Sequence, residues 1–131
     1  MKKITTRKEF EKFCESHVID NLNNAKVGDC VEVYRDSYWG DSYYFVNKDG
    51  LDFRRREQNG ERLEFPTCID GAEFSLKWSD RVGDRPIRLN FEVYTREGET
   101  HGDYVSAFFA TVEEAYRRGL EGKYHKDDLL Y

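Results

Sequence analysis

The spacing of apolar positions changes period twice along the chain. Near the start, Phe10, Phe13, Cys14, His17 and Val18 fall at i, i+3, i+4, i+7 and i+8, with Glu11, Lys12, Glu15 and Ser16 between them. That spacing is one apolar face of a helix. Thr6-Arg7-Lys8-Glu9 precedes it as a capping box, with Thr6 at the N-cap and Glu9 reaching back. The cluster from Asn21 to Asn24 predicts its end.

From Val27-Gly28-Asp29, a turn, the period becomes two. Cys30 to Arg35 and Ser42 to Asn47 alternate as strands. Asn47-Lys48-Asp49-Gly50 and Gln58-Asn59-Gly60 are hairpin turns, since glycine takes the positive φ such turns need. They predict strands over Leu51 to Glu57 and Glu61 to Phe65, the second interrupted by Pro66. Phe74, Leu76 and Trp78 alternate with polar residues, as do Ile87, Leu89, Phe91 and Val93. Both segments read as antiparallel strands with one buried and one wet face, and Trp78 is expected in the core. Asp103 to Phe109 is a further strand. Helical spacing then returns: Thr111-Val112-Glu113-Glu114 repeats the capping box, and Val112, Ala115, Tyr116, Gly119 and Leu120 form a stripe stopped at Gly122.

A run of strands between two helices predicts the α+β class. The expectation is a single antiparallel sheet of about five to seven strands, packed with an N-terminal and a C-terminal helix. All of 1–131 forms one domain on this reading, with a loosely held tail over 123–131. The length of 131 residues suits one domain. Nine Phe, nine Tyr and two Trp supply much of the core in a chain only 38% hydrophobic. No apolar run is long enough for a membrane span. The first residues turn polar at once, so no secretory leader is expected.

The net charge of −5 comes from 21 Lys and Arg against 26 Asp and Glu. Phosphate binding needs a basic face, so direct nucleic-acid contact is disfavoured. An acidic surface suits a basic protein partner and also keeps the chain soluble. The cysteines, Cys14, Cys30 and Cys68, are odd in number and read as reduced thiols in the cytoplasm. Cys14 and His17 share a helical face, but the spacings to Cys30 and Cys68 match no zinc motif. No cofactor and no metal are expected.

The densest chemistry lies between Tyr34 and Phe45, where Tyr34, Tyr38, Trp39, Tyr43, Tyr44 and Phe45 are aromatic. Tyr38 and Trp39 fall at a turn between strands, which is exposed by default. Exposed Trp and Tyr anchor protein interfaces, although Trp39 could instead fold back on the core. Arg54-Arg55-Arg56 places Arg54 and Arg56 on one strand face, beside Asp52, Glu57, Glu61 and Glu64, where cross-strand ion pairing is the simpler reading. There is no glycine-rich phosphate loop, no Gly-x-Ser-x-Gly elbow and no His-Glu-x-x-His helix. His101 beside Glu97 and Glu99 is the one arrangement that could serve a hydrolase. Asp80 and Asp84 lack the calcium-loop pattern.

In size, acidity and lack of catalytic motifs the chain resembles bacterial immunity proteins and phage-encoded inhibitors of host defence. That resemblance implies a stoichiometric binder that occludes a basic, nucleic-acid-handling protein. Tyr38 and Trp39 would anchor the contact, carboxylates around the 80–103 loops (Asp80, Asp84, Glu97 and Glu99) would steer it, and Asp41 and Tyr43 complete the expected partner-binding set. The alternatives are a small hydrolase using His101 with nearby carboxylates, and a nucleic-acid or nucleotide binder using Arg54, Arg56 and exposed aromatics. The sequence leaves the oligomeric state open.

Overall fold

A computed structural model describes residues 4–20, 26–35, 38, 40–47, 73–94, 103–121 and 124–125. The first helix, α1 (Arg7–Glu15), starts at Thr6, whose backbone is extended and whose hydroxyl accepts the Glu9 N–H at 3.2 Å. This satisfies one of the donors that a helix start leaves unpaired. Glu9 closes the box in its own way, its carboxylate accepting the Thr6 hydroxyl at 2.9 Å.

The helix ends several residues before the Asn cluster. Ser16 is the C-cap: its N–H reaches Lys12 O at 3.1 Å and its hydroxyl donates to Phe13 O at 2.6 Å. The chain then leaves helical geometry to pair with residue 30. Cys30 N–H donates to His17 O at 2.7 Å, and Ile19 N–H donates to Cys30 O at 2.9 Å. A parallel bridge of this kind, Val18 to Cys30, leaves Val18 39% exposed, off the apolar face that the periodicity assigned to it. Pairing with a distant residue overrides a continuing helical period.

The strands β1 (Cys30–Tyr34), β2 (Ser42–Val46), β3 (Glu73–Trp78), β4 (Ile87–Tyr94) and β5 (Asp103–Phe109) lie side by side in chain order. Each is antiparallel to the next. The second helix, α2 (Val112–Glu121), follows, and β6 (Tyr124–His125) returns to pair in parallel with Val93 and Tyr94 of β4. Two residues of the expected loose tail are thus paired. The fold is α+β around an antiparallel sheet. The strands expected over 51–57 and 61–65 lie outside the described residues.

The register stacks one apolar row across the sheet. Tyr43 faces Leu76, Phe45 faces Phe74, Leu76 faces Leu89 and Leu89 faces Ala107, and all are buried. Phe10 and Cys14 of α1, and Val112 and Ala115 of α2, join the same core. Phe10 meets the Tyr43 ring edge-on at 5.6 Å. Trp78, expected in the core, is only half-buried: it is the last residue of β3, packed against the core rim with its ring 6.1 Å from Phe10. Alternation also fails on β2, where Tyr44 and Val46 on the opposite face are buried too.

On that opposite face, Ser75, Asn90 and Ser106 stand in register across three strands. Ser106 donates to Asn90 Oδ1 at 2.5 Å, and Arg88 Nε donates to Ser106 Oγ at 2.9 Å. Asn90 Nδ2 donates to Ser75 Oγ at 3.4 Å. Buried and half-buried polar groups therefore satisfy one another across the strands.

Gly119 brings α2 against the sheet. A Cβ there would overlap the Phe74 ring. Gly119→Ala adds about 1 kcal/mol of helix propensity. The overlap costs about 1–3 kcal/mol, as core overpacking does. Urea unfolding should therefore show a net loss of stability, against the helix scale. A gain would mean that α2 can lift from Phe74 at no cost.

Candidate functional site

The antiparallel order brings three connections to one end of the sheet. Ser42 starts β2 beside Lys77 near the end of β3, Lys77 stands beside Arg88 near the start of β4, and Arg88 stands beside Phe108 near the end of β5. The β1–β2 turn, the 79–86 loop and the step from β5 into α2 therefore share this end, with neighbouring strands about 5 Å apart.

The β1–β2 turn holds Tyr38 out. Tyr38 is 81% exposed. Arg35 braces the base of the turn, with Nη1 3.2 Å from Asp41 Oδ2 and Nη2 3.6 Å from Glu15 Oε1 of α1. Gly40 turns the chain at φ +85°, and a Cβ there would stand 3.3 Å from Lys77 Cε. That φ favours glycine, and the small residue lets the turn sit on β3.

Asp80 and Asp84 are exposed in the neighbouring loop, interleaved with Arg81 and Arg85. The loop closes on itself through Ser79 N–H to Pro86 O at 2.7 Å and Arg85 N–H to Val82 O at 3.0 Å. Its mixed charge makes this end a patterned surface rather than an acidic one. Arg88, half-buried on the sheet beside it, has its guanidinium pKa lowered by burial, with the Arg81 charge adding to the effect.

Tyr38, Asp41, Asp80 and Asp84 thus come to the same end, Asp41 as the partner of Arg35. Tyr43 is corrected. It is fully buried under α1, because its register opposite Leu76 turns it into the core, and it cannot touch a partner. Trp39, Glu97 and Glu99 lie outside the described residues, as do Arg54, Arg56, His101 and Cys68. The strand ends that flank 95–102, Tyr94 and Asp103, lie at the opposite end of the sheet.

One group went unnoticed in the sequence. Arg85, Phe108, Phe109, Glu114, Arg117 and Arg118 line a cleft of about 470 Å³. Arg117 and Arg118 both reach Glu121 at 3.2 Å. Only the antiparallel register brings residue 85 to residues 117 and 118, and helical spacing alone does not show it.

Burial raises the pKa values of the titrating groups of the core. Burial pushes the Cys14 thiol well above the ordinary thiol range, with Cys30 and nearby glutamates adding to the effect. A neutral buried thiol is a poor nucleophile. Tyr43 is raised in the same way, by burial first, and its hydroxyl has no hydrogen-bond partner among the described residues. His17 Nδ1 lies 2.9 Å from Phe13 O, and its ring is packed on Phe13 and Tyr116 at 4.8 and 5.2 Å. Among the described residues no three His, Cys, Asp or Glu side chains gather in a way that could hold a metal ion. No helix among them is long and apolar enough to cross a membrane.

Comparison with protein families, with curated proteins and with solved structures finds no match.

These raised values fix the alkaline behaviour. Cys14 ionises near 9.0 when exposed, and Tyr116, pushed up to about 12 by burial and by Asp29, ionises near 10.0 when exposed. Above those values the unfolded chain releases protons that the folded chain keeps, so stability is whole below pH 9.0 and falls as pH rises beyond it. Urea midpoints measured from neutral to alkaline pH should show the decline, and Tyr116→Phe should flatten its portion above pH 10.0. A midpoint level through that range would place these groups in water.

Proposed function

We propose that this chain is a non-enzymatic protein-binding module that inhibits its partner stoichiometrically by covering it. The observation that carries this reading is Tyr38, an 81% exposed aromatic on a turn braced by Arg35, Asp41 and Glu15. An exposed aromatic can bury a large area on binding while its hydroxyl keeps a polar contact. Asp80 and Asp84 in the neighbouring loop add polar contacts at the rim, Trp39 adjoins Tyr38 in the sequence, and Glu97 and Glu99 act by steering a basic partner through their charge.

The partner on this reading is a basic, nucleic-acid-handling protein. The chain's net charge of −5 supports that choice, since opposite overall charge speeds encounter. The likeness in size and acidity to immunity proteins and phage inhibitors supports the same class. The module acts in the cytoplasm as one domain, its sheet of five to seven strands packed with both helices.

The test is affinity capture with the chain and with Tyr38→Ala as parallel baits, followed by the stoichiometry of the captured complex. The expected outcome is one basic protein retained at a fixed ratio and lost with the variant. Tyr38→Ala should leave stability within about ±0.5 kcal/mol, as ordinary surface sites do. It should weaken binding by about 2 kcal/mol, roughly thirtyfold. A partner held equally by both baits would remove Tyr38 from the contact.

A further inference from the structure

On the sheet face opposite the helix-packed core, Arg88 stands between Lys77 of β3 and Phe108 of β5. All three are half-buried. The polar row of Ser75, Asn90 and Ser106 lies next to them along the strands and fixes the guanidinium. Arg88 Nε donates to Ser106 Oγ at 2.9 Å, Ser106 donates to Asn90 Oδ1, and Asn90 Nδ2 donates to Ser75 Oγ. Each donor in the chain points away from Arg88, so its two Nη groups are the donors left over. Among the described residues they make no hydrogen bond and no ion pair. The charge that Arg88 does feel is a like one, Arg81, which adds to burial in lowering its pKa. The Arg81 N–H donates to Ser79 Oγ at 3.2 Å, which holds its backbone at the start of the 79–86 loop. Asp80 and Asp84 share that loop, and among the described residues neither pairs with Arg81 or Arg88.

We propose that Arg88 and Arg81 hold the phosphate of a small phosphate monoester, with Phe108 beside it against the organic part. Such a site goes beyond the inhibitory role and is read without any protein partner. Charge complementarity selects the occupant. Two like charges, one of them half-desolvated, are best compensated together by a dianion, and a carboxylate brings only one charge. The free edge of a guanidinium held through Nε offers two parallel N–H bonds, the geometry that phosphate oxygens accept. A net charge of −5 disfavours a long polyanion but not one small dianion. Phe108, directly across the ladder from Arg88, supplies apolar area next to the charge, as ligand sites do.

NMR titration with inorganic phosphate, phenyl phosphate and acetate, at constant ionic strength, tests the site. The expected result is saturable shifts of the Arg88 Nε–H and of the Ser106 and Asn90 amides with both phosphates, tighter for phenyl phosphate, and no saturation with acetate. Arg88→Lys keeps the charge and loses the fork, and should weaken phenyl phosphate about tenfold. Arg81→Gln, at an exposed loop position that leaves the sheet intact, should weaken it severalfold. Phe108→Ala should bring phenyl phosphate down to the level of inorganic phosphate. Shifts that never saturate, acetate binding as well as phosphate, or unchanged affinity in Arg81→Gln would each overturn the proposal. Equal affinity for the two phosphates in the unaltered chain also overturns it. A single-stranded oligonucleotide bound more tightly than phenyl phosphate does so too, in favour of a nucleic-acid surface.

Discussion

Tyr116 is the point where the parts of this fold meet. Its ring lies edge-on or tilted against Phe13 and His17 of the first helical segment, Phe45 of β2 and Phe74 of β3, at 5.2 to 6.1 Å. Its hydroxyl donates to Gly28 O at 2.7 Å, which ties α2 to the turn that feeds β1. Gly28 in turn takes a positive φ of 96° and donates its N–H to Val46 O at 2.7 Å. One side chain therefore fixes two helices, two strands and a turn. A chain with few aliphatic residues builds its core from aromatic edges and faces, and a tyrosine can do so while satisfying a backbone carbonyl. Phe45 and Phe74 stack beneath it at 5.4 Å, and Gly119 lets the helix carrying Tyr116 come close enough to reach them.

That core leaves the end of the sheet free to vary. The Tyr38 turn rests on Lys77 and is braced from α1 through Glu15, so it is positioned by the same elements that Tyr116 holds together. The 79–86 loop is closed by its own backbone bonds. Among the described residues neither connection supplies a member of the buried cluster. Changes at the exposed positions of these loops, such as Tyr38, Asp80 and Asp84, therefore have little packing to disturb.

The elements that could be read directly from the sequence are those whose period survives folding. The stripe Val112, Ala115, Tyr116, Gly119 and Leu120 packs as its spacing requires, and Ile87, Leu89 and Phe91 point into the core. The end of α1 was not legible, because the bond that stops the helix is made to Cys30, far along the chain. Tyr43 and Tyr44 were not legible either. A strand of consecutive aromatics has no polar partner to mark its wet face, and only the register with β3 decides which ring turns inward. Tyr38, Asp41, Asp80 and Asp84 could be named singly from turn chemistry. Their common location depends on which strands pair, and so does the cleft that joins Arg85 to Arg117 and Arg118.

The finish of the β1 edge bears on how the sheet can be extended there. Growth of a sheet into a fibre requires that each added chain offer a fresh template on its far side. A chain arriving at β1 meets the His17–Ile19 segment at Cys30 and a ladder broken by the extra residue Val31. A strand arriving there finds the Cys30 backbone already paired and no unbroken ladder to extend. The short departure of the chain from α1 thus guards the start of β1 in the way that proteins blunt an edge strand, with a covering segment and a bulge.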